Sequence, residues 1–103
     1  MEFIQGKRFT SDRAWGSELL LDMGQHSARI HWTDEPYRWH ENTGSEVFVV
    51  LDGVVDMAYR LEGAESIRTM EAGDIAIIHA GESHVARPRG AARILVIERH
   101  DSE

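Results

Sequence analysis

One stretch decides the fold, RWHENTGSEVFVVLDG at residues 38–53. Its apolar run from Val47 to Leu51 is typical of a buried β-strand, and Glu46 opens that run. The Asp-Gly pair at 52–53 is a hairpin signal, so we expect the strand to end there. His40 and Asn42 are two residues apart, so on an extended segment both side chains lie on the same face.

A second stretch, GDIAIIHAGESHV at residues 73–85, has the same character. It contains a β-type run over 75–78, a turn at Gly81 and then His84. If a β-barrel brings the two stretches together, two imidazoles, the carboxylate of Glu46 and the amide oxygen of Asn42 would converge. That set of ligands would form a metal site.

Composition limits the remaining choices. A chain of 103 residues, 42% hydrophobic and 28% charged, is expected to form one packed domain. The net charge of -7 and the lack of a Lys/Arg cluster argue against nucleic acid as a partner. The absence of cysteine excludes disulfides, Cys-based zinc sites and thiol nucleophiles. With no secretory-type start and no membrane-length apolar run, we expect a cytoplasmic protein that does not contact a membrane.

Short β-type runs separated by turn signals dominate the chain, whereas no long segment has helical periodicity. Eight strands are predicted: Ser17 to Asp22, Ser27 to Trp32, Glu46 to Leu51, Val54 to Leu61, Ser66 to Met70, Asp74 to Ile78, Ser83 to Arg87 and Ala92 to Glu98. Between them lie Gly- and Pro-containing turns, including one at Pro88-Arg89-Gly90. This pattern favours a sandwich or a jelly-roll barrel.

Three of the runs are apolar without alternation: Val47 to Leu51, Ile75 to Ile78 and Ile94 to Ile97. A strand with one solvent-exposed face should alternate apolar and polar residues, so we expect both faces of these three strands to be covered. Sheets from two subunits stacked on each other would cover the second face, which predicts a homodimer. The alternative is that a few exposed Val and Ile side chains cost little.

The two stretches resemble the two sequence motifs of the cupin superfamily. The first family motif is His-x-His, three or four residues, Glu, six residues and Gly; here it is His40-x-Asn42, three residues, Glu46, six residues and Gly53. The second is Gly, five residues, Pro-x-Gly, two residues and His; here it is Gly73, five residues, His79-x-Gly81, two residues and His84. The chain is most similar to small single-domain cupins described as mannose-6-phosphate isomerase-like, the cupin 2 conserved barrel, over residues 28 to 98.

The resemblance implies an all-β fold, a double-stranded β-helix or jelly-roll barrel of the RmlC-like cupin type. Within one domain, it implies a barrel core at 28–103, and we expect residues 1–27 to form N-terminal strands that contribute to a dimer contact. It also implies a divalent metal, Fe, Mn, Ni or Zn, held by His40, Glu46 and His84. This chain departs from the motifs at Asn42, a weaker ligand than the usual His, and at His79 in place of Pro.

His40, Glu46 and His84 have the composition of a facial triad of two His and one carboxylate. Asn42 is either a fourth metal ligand or a residue beside the site. If Glu46 points inward, period two places Phe48 and Val50 on the pocket wall with it. His79 is the candidate substitute imidazole near the pocket. His31 is expected to be structural or to lie behind the ligands, and the remaining alternative is that it lines the pocket.

Three functions remain open. The first is a metal-binding barrel that acts as an enzyme on a small polar molecule, with the metal as Lewis acid or oxygen-activating centre. The second is a non-catalytic module that binds or senses a small ligand. The third is an accessory dimer with a degenerate metal site, for which Asn42 is the best argument. No nucleophile elbow, P-loop or dinucleotide fingerprint is present, so catalytic residues are not assigned.

Overall fold

The structure is a computed structural model that describes residues 1–100. It is built almost entirely from strands, preceded by a short 3₁₀-helix at Gly6–Arg8. The six strands are β1 (Gly16–Asp22), β2 (His26–Thr33), β3 (Glu46–Leu61), β4 (Ala64–Met70), β5 (Ile75–Ile78) and β6 (His84–Arg99). In this described part of the chain, no helix is long and apolar enough to cross a membrane.

Two strands of 16 residues, β3 and β6, pair antiparallel along most of their length. The first half of β3 also pairs with β5, and its second half pairs with β4. The second half of β6 pairs with β2, which in turn pairs with β1. Each long strand therefore contributes to two groups of strands, which is the arrangement of a jelly-roll barrel rather than of a flat sheet.

The hairpin predicted at 52–53 is wrong, because β3 continues through the Asp-Gly pair. The pairing of β3 with β6 shifts register between Val50 and Val54, so the extra residues form a bulge instead of a turn. Gly53 has a φ of 85°, and a Cβ there would clash with the carbonyl oxygen of Ala91 on β6. The glycine therefore serves a close approach of two backbones within a bent strand.

The predicted break at Pro88-Arg89-Gly90 is also wrong, because β6 runs through it. Pro88 lies opposite Val55 of β3, where the absence of an N–H is tolerated at a strand with one open side. The eight predicted strands thus become six. Other Gly-containing segments between the predicted strands are turns in the structure: Gly24 lies between the antiparallel strands β1 and β2, and Glu62-Gly63 lies between β3 and β4.

The inner face of the barrel carries alternate residues of β3. Glu46, Phe48 and Val50 are buried, with 6%, 4% and 0% of their surface exposed. Phe48 and Val50 pack with Ile94 and Val96 of β6 and with the second half of β3 in one hydrophobic core. Because residues of one parity share a face, burial of Phe48 and Val50 directs the carboxylate of Glu46 inward as well.

The outer face of the same strands carries the residues of opposite parity. They are all apolar and lie opposite one another in register: Val47, Val49, Ile75, Ile77, Leu95 and Ile97. Ile75 and Ile77 at the edge are 60% and 57% exposed. This surface explains the apolar runs without alternation, and the homodimer inferred from them stays a prediction.

Candidate metal centre

Local backbone pairing places the two candidate histidines side by side. His40 and His84 form an isolated antiparallel bridge, with N–H to O=C distances of 3.1 and 3.0 Å in the two directions. Their ring centroids are 4.3 Å apart. Glu46 begins β3 on the facing wall, and ligand atoms of His40, Glu46 and His84 all lie within 4.8 Å of one another. The structure thus brings together the three residues singled out by their spacing in the sequence.

Backbone carbonyls orient both imidazoles. His40 Nδ1 lies 2.9 Å from the carbonyl oxygen of Arg38, and His84 Nδ1 lies 2.8 Å from that of Glu82. A carbonyl oxygen only accepts, so Nδ1 carries the proton in each ring. The neutral rings then present their Nε2 lone pairs toward the shared point, and this is how metal-binding histidines are held in proteins.

Asn42 is buried beside the cluster and contacts its carboxylate. Its Nδ2 donates a hydrogen bond to Glu46 Oε1, and its Oδ1 is buried without a hydrogen-bond partner in the protein. The amide therefore fixes the position of the Glu46 carboxylate. The free Oδ1 is the atom with which Asn42 would bind a metal.

The charges of the two histidines differ in the protein without metal. Burial lowers the pKa of His40, which favours the neutral ring. Burial also opposes the charge on His84, but its interaction with the Glu46 carboxylate and its hydrogen bond to the Glu82 backbone outweigh burial and raise its pKa. His84 Nε2 lies 3.7 Å from Glu46 Oε1, so a protonated His84 forms an ion pair with Glu46. A metal ion would have to displace that proton.

The cluster opens into a cavity of about 300 Å³. Phe48 lies in its wall, as the sequence predicts, but two other predicted wall residues lie elsewhere. Val50 is completely buried, since it packs into the core one step further along β3. His79 is exposed in the turn after β5, where its N–H donates to Glu82 Oε1, 2.6 Å away. A larger groove of about 470 Å³ between β4 and β5 also touches His84, but neither His40 nor Glu46 lines it.

Sequence reasoning missed Glu98 as a cavity residue. The register pairs Val47 with Ile97, which places Glu98 opposite Glu46 on the inner face. Burial, followed by the charge of Glu46, raises the pKa of Glu98 to about 7. The signal in the sequence is its parity, because Glu98 shares a face with the core residues Ile94 and Val96.

Aromatic side chains contribute to the lining of the cavity. Trp15 and Tyr37 line it, with ring centroids 5.1 Å apart, and Tyr37 lies 5.1 Å from the His40 ring. Trp15 Nε1 donates to the carbonyl oxygen of Glu35, 2.9 Å away. On the far side, Trp15 contacts His31, which also lines the cavity. The cavity lining therefore combines the polar cluster with an aromatic surface.

Comparison with solved structures places this architecture in a known group. A cupin-2 domain protein from Shewanella frigidimarina superposes with a TM-score of 0.77 at 23% identity, covering 87% of this chain and 85% of that one. The chain has the cupin fold. A cupin superfamily protein from Desulfitobacterium hafniense gives a TM-score of 0.74 at 14% identity, covering 89% of this chain and 84% of the other. The predicted all-β jelly-roll of cupin type is thereby confirmed.

A third solved structure shares this fold over part of its length. Oxalate decarboxylase of Bacillus subtilis, described with Mn(II) centres, gives a TM-score of 0.67 at 15% identity, covering 75% of this chain and 22% of its own. No family model and no curated protein matches the present sequence. At these identities the likeness establishes the fold, and the isomerase-like subtype stays a prediction.

Proposed function

We propose that this cupin-fold protein binds one divalent metal ion through His40, Glu46 and His84 and uses it to bind or transform a small polar molecule in the cavity. The observation that carries the proposal is the convergence of three ligand atoms within 4.8 Å of one another, on residues that line that cavity. Two imidazoles and one carboxylate suit Fe, Mn, Ni or Zn. When bound, the ion would act as a Lewis acid or as an oxygen-activating centre.

Each residue of the cluster has a distinct part in this proposal. The carbonyl oxygens of residues 38 and 82 orient the two imidazoles, and Glu46 supplies the negative charge. Asn42 holds Glu46 through its Nδ2 and is the fourth candidate ligand through Oδ1. Such supporting hydrogen bonds raise metal affinity because they hold the ligands in place before the ion arrives.

A second function, an accessory protein with a degenerate metal site, is favoured by one specific observation. The Glu46 carboxylate already accepts a hydrogen bond from Asn42 and lies 3.7 Å from His84 Nε2. With His84 protonated, these contacts balance the buried charge without an ion. Metal binding decides between the two functions.

The test is metal analysis of protein prepared without chelator, beside two single variants. The proposal expects about one ion per chain in the wild type, loss of the ion in His84→Ala, and retention in His26→Ala. His26 is an exposed histidine at the start of β2 and serves as the matched control. Wild-type protein that neither contains nor takes up Fe(II), Mn(II), Ni(II) or Zn(II) would establish the degenerate site instead.

We also propose a homodimer in which the apolar outer face of β3, β5 and β6 contacts a second copy. Residues 1–27 would contribute to the contact, since the apolar side chains of Met1, Phe3 and Ile4 are exposed. Ile77→Lys should then produce a monomer in light scattering after size exclusion. Ile67→Lys, at a comparably exposed isoleucine on β4, should leave the dimer intact. A monomeric wild type would refute the dimer.

A further inference from the structure

His40 differs from the other two candidate metal ligands in how the chain holds it. Glu46 begins β3 and His84 begins β6, so a strand fixes the backbone of each. His40 lies between β2 and β3, in the segment 34–45, which contains no strand beyond the bridge to His84. The place of His40 in the ligand set therefore depends on contacts made by its neighbours in the sequence.

The neighbour with the strongest contacts is Trp39. The guanidinium carbon of Arg60 lies 4.1 Å from the centroid of the half-buried Trp39 ring, and that of Arg87 lies 5.8 Å from it. At both distances a guanidinium is attracted to the face of an aromatic ring. Trp39 is thus held between arginines of two paired strands, β3 and β6, and we call these three residues the Trp39 clamp.

The register places the clamp on the outer face of the barrel. Arg87 pairs with Asp56, which shares one face of β3 with Arg60. His84 lies three residues before Arg87 on β6, so its side chain points to the opposite, inner face. The Trp39 ring is therefore on the outside, whereas the two imidazoles face each other on the inside. Any effect of the clamp on the metal site must pass through the backbone.

The backbone joins the clamp to both imidazoles. The carbonyl oxygen that accepts from His40 Nδ1, 2.9 Å away, belongs to Arg38 and so to the peptide bond that leads into Trp39. On the other side, the N–H of Arg60 donates to the carbonyl oxygen of Ser83, 3.1 Å away and directly before the second histidine ligand. Holding the tryptophan in place therefore also holds the carbonyl group that orients the first imidazole.

Building on the metal-site proposal above, we propose that Trp39 and Arg60 are positioning residues that keep His40 in the ligand set of the metal. Neither side chain touches the ion. Loss of the clamp releases His40, while Glu46 and His84 still hold the ion more weakly. A guanidinium near a divalent cation opposes its binding through charge alone, so a favourable contribution of Arg60 to metal affinity identifies the clamp.

The first readout is the proton NMR spectrum of the protein loaded with Co(II). An imidazole that binds through Nε2 keeps its Nδ1 proton, which gives an exchangeable and strongly shifted signal beside the paramagnetic ion. Wild type should give two such signals, one from His40 and one from His84, and His40→Ala assigns them. Trp39→Leu keeps an apolar side chain without a ring face and should lose the His40 signal alone. Trp39→Phe retains a ring face and should restore it.

The second readout is the affinity for Co(II), measured by competition with a chelating dye. Trp39→Leu should weaken binding by about tenfold, as expected for a contact that supports a metal ligand, and Arg60→Gln should weaken it as well. In a His40→Ala background neither change should weaken binding further, because the clamp acts through His40. Arg68→Gln, at another exposed arginine on β4, is the control and should not weaken binding.

Three results would each overturn the inference: both signals or neither signal in Trp39→Leu, unweakened binding in Arg60→Gln, or the same loss of affinity in the His40→Ala background. The NMR signals decide where His40→Ala binds Co(II) too weakly for the dye. If circular dichroism shows that Trp39→Leu does not fold, Arg60→Gln, at an exposed side chain, is measured by both readouts in its place. In all these outcomes the wild type still binds metal, so the metal-site proposal stands. A wild type that takes up no divalent ion is a different result and would remove both.

Discussion

Replacing Glu98 by Gln should stabilise the protein at high pH and leave it nearly unchanged at low pH. Burial and the facing charge of Glu46 raise the pKa of Glu98 from 4.5 to about 7 in the folded protein. Between these values the native state holds a proton that the unfolded chain has released. The free energy of unfolding therefore falls as pH rises through this window, and the loss is complete above about pH 7.

The size of the effect follows from the same numbers. A pKa difference of this size corresponds to about 3 kcal/mol for a fully buried group. The Glu98 side chain is only half-buried, so water reduces the expected cost of its charge to about 1–2 kcal/mol. Glutamine has nearly the same shape and no charge. Glu98→Gln should therefore raise the free energy of unfolding by about 1–2 kcal/mol at pH 8.

Urea denaturation at pH 5 and pH 8, with chelator present to remove metal, measures this difference directly. The quantity that tests the reasoning is the effect of Glu98→Gln at pH 8 minus its effect at pH 5. Comparison with the wild type at each pH cancels the titration of groups that do not interact with Glu98. Glu18→Gln, at an exposed residue of β1, should give a value near zero. If Glu98→Gln has the same effect on the free energy of unfolding at both pH values, the pKa of Glu98 is not raised in the folded protein and the reasoning is refuted.

Three further predictions concern the bulge and the metal cluster. Gly53→Ala should destabilise the protein by about 2 kcal/mol or more in urea denaturation, because residue 53 has a positive φ and the added Cβ would clash with the backbone of β6. Gly63 also has a positive φ but has open space around it, so Gly63→Ala should cost about 1 kcal/mol. Equal losses in the two variants would contradict the close approach at the bulge. The affinity for Mn(II), measured by competition with a chelating dye, should weaken about tenfold for each pH unit below the pKa of His84. Because that pKa is raised, the weakening should begin at a higher pH than for an ordinary histidine. An affinity that does not change with pH would argue against His84 as a ligand. Asn42→Ala should weaken metal binding about tenfold in the same assay because Glu46 loses its hydrogen bond, and unchanged affinity would limit Asn42 to a structural role.

The sequence identified side chains that lie close together in the structure, but it divided the strands around them incorrectly. Motif spacing and the cupin resemblance together singled out His40, Glu46 and His84, with Asn42 as a possible fourth ligand, and the structure brings ligand atoms of the first three within 4.8 Å of one another. The sequence could do so because the motif residues lie at the start of β-type runs whose ends meet in a jelly-roll. The turns predicted at 52–53 and 88–90 are wrong. Gly53 lies in a β-bulge of β3, and Pro88 lies within β6, which pairs on only one side there.

Alternation along the last strand indicates an inward-facing Glu98, but the sequence does not show which side chains lie opposite it. Glu98 becomes a cavity residue only because Val47 pairs with Ile97, and no local pattern specifies which two strands are neighbours. Val50 lies on the same inward face of β3 as Glu46 and Phe48, but it packs in the hydrophobic core rather than in the cavity wall. For His79, the turn geometry after β5 leaves the side chain exposed.

The central claim is that one ion binds between two imidazoles and a carboxylate. A crystal of the wild-type protein soaked with Zn(II) or Mn(II), measured at the absorption edge of the metal, tests this most directly. The account predicts a single anomalous peak about 2.0–2.2 Å from Nε2 of His40, Nε2 of His84 and a carboxylate oxygen of Glu46. No peak at that point after soaking, or a peak bound only by surface side chains, would contradict it.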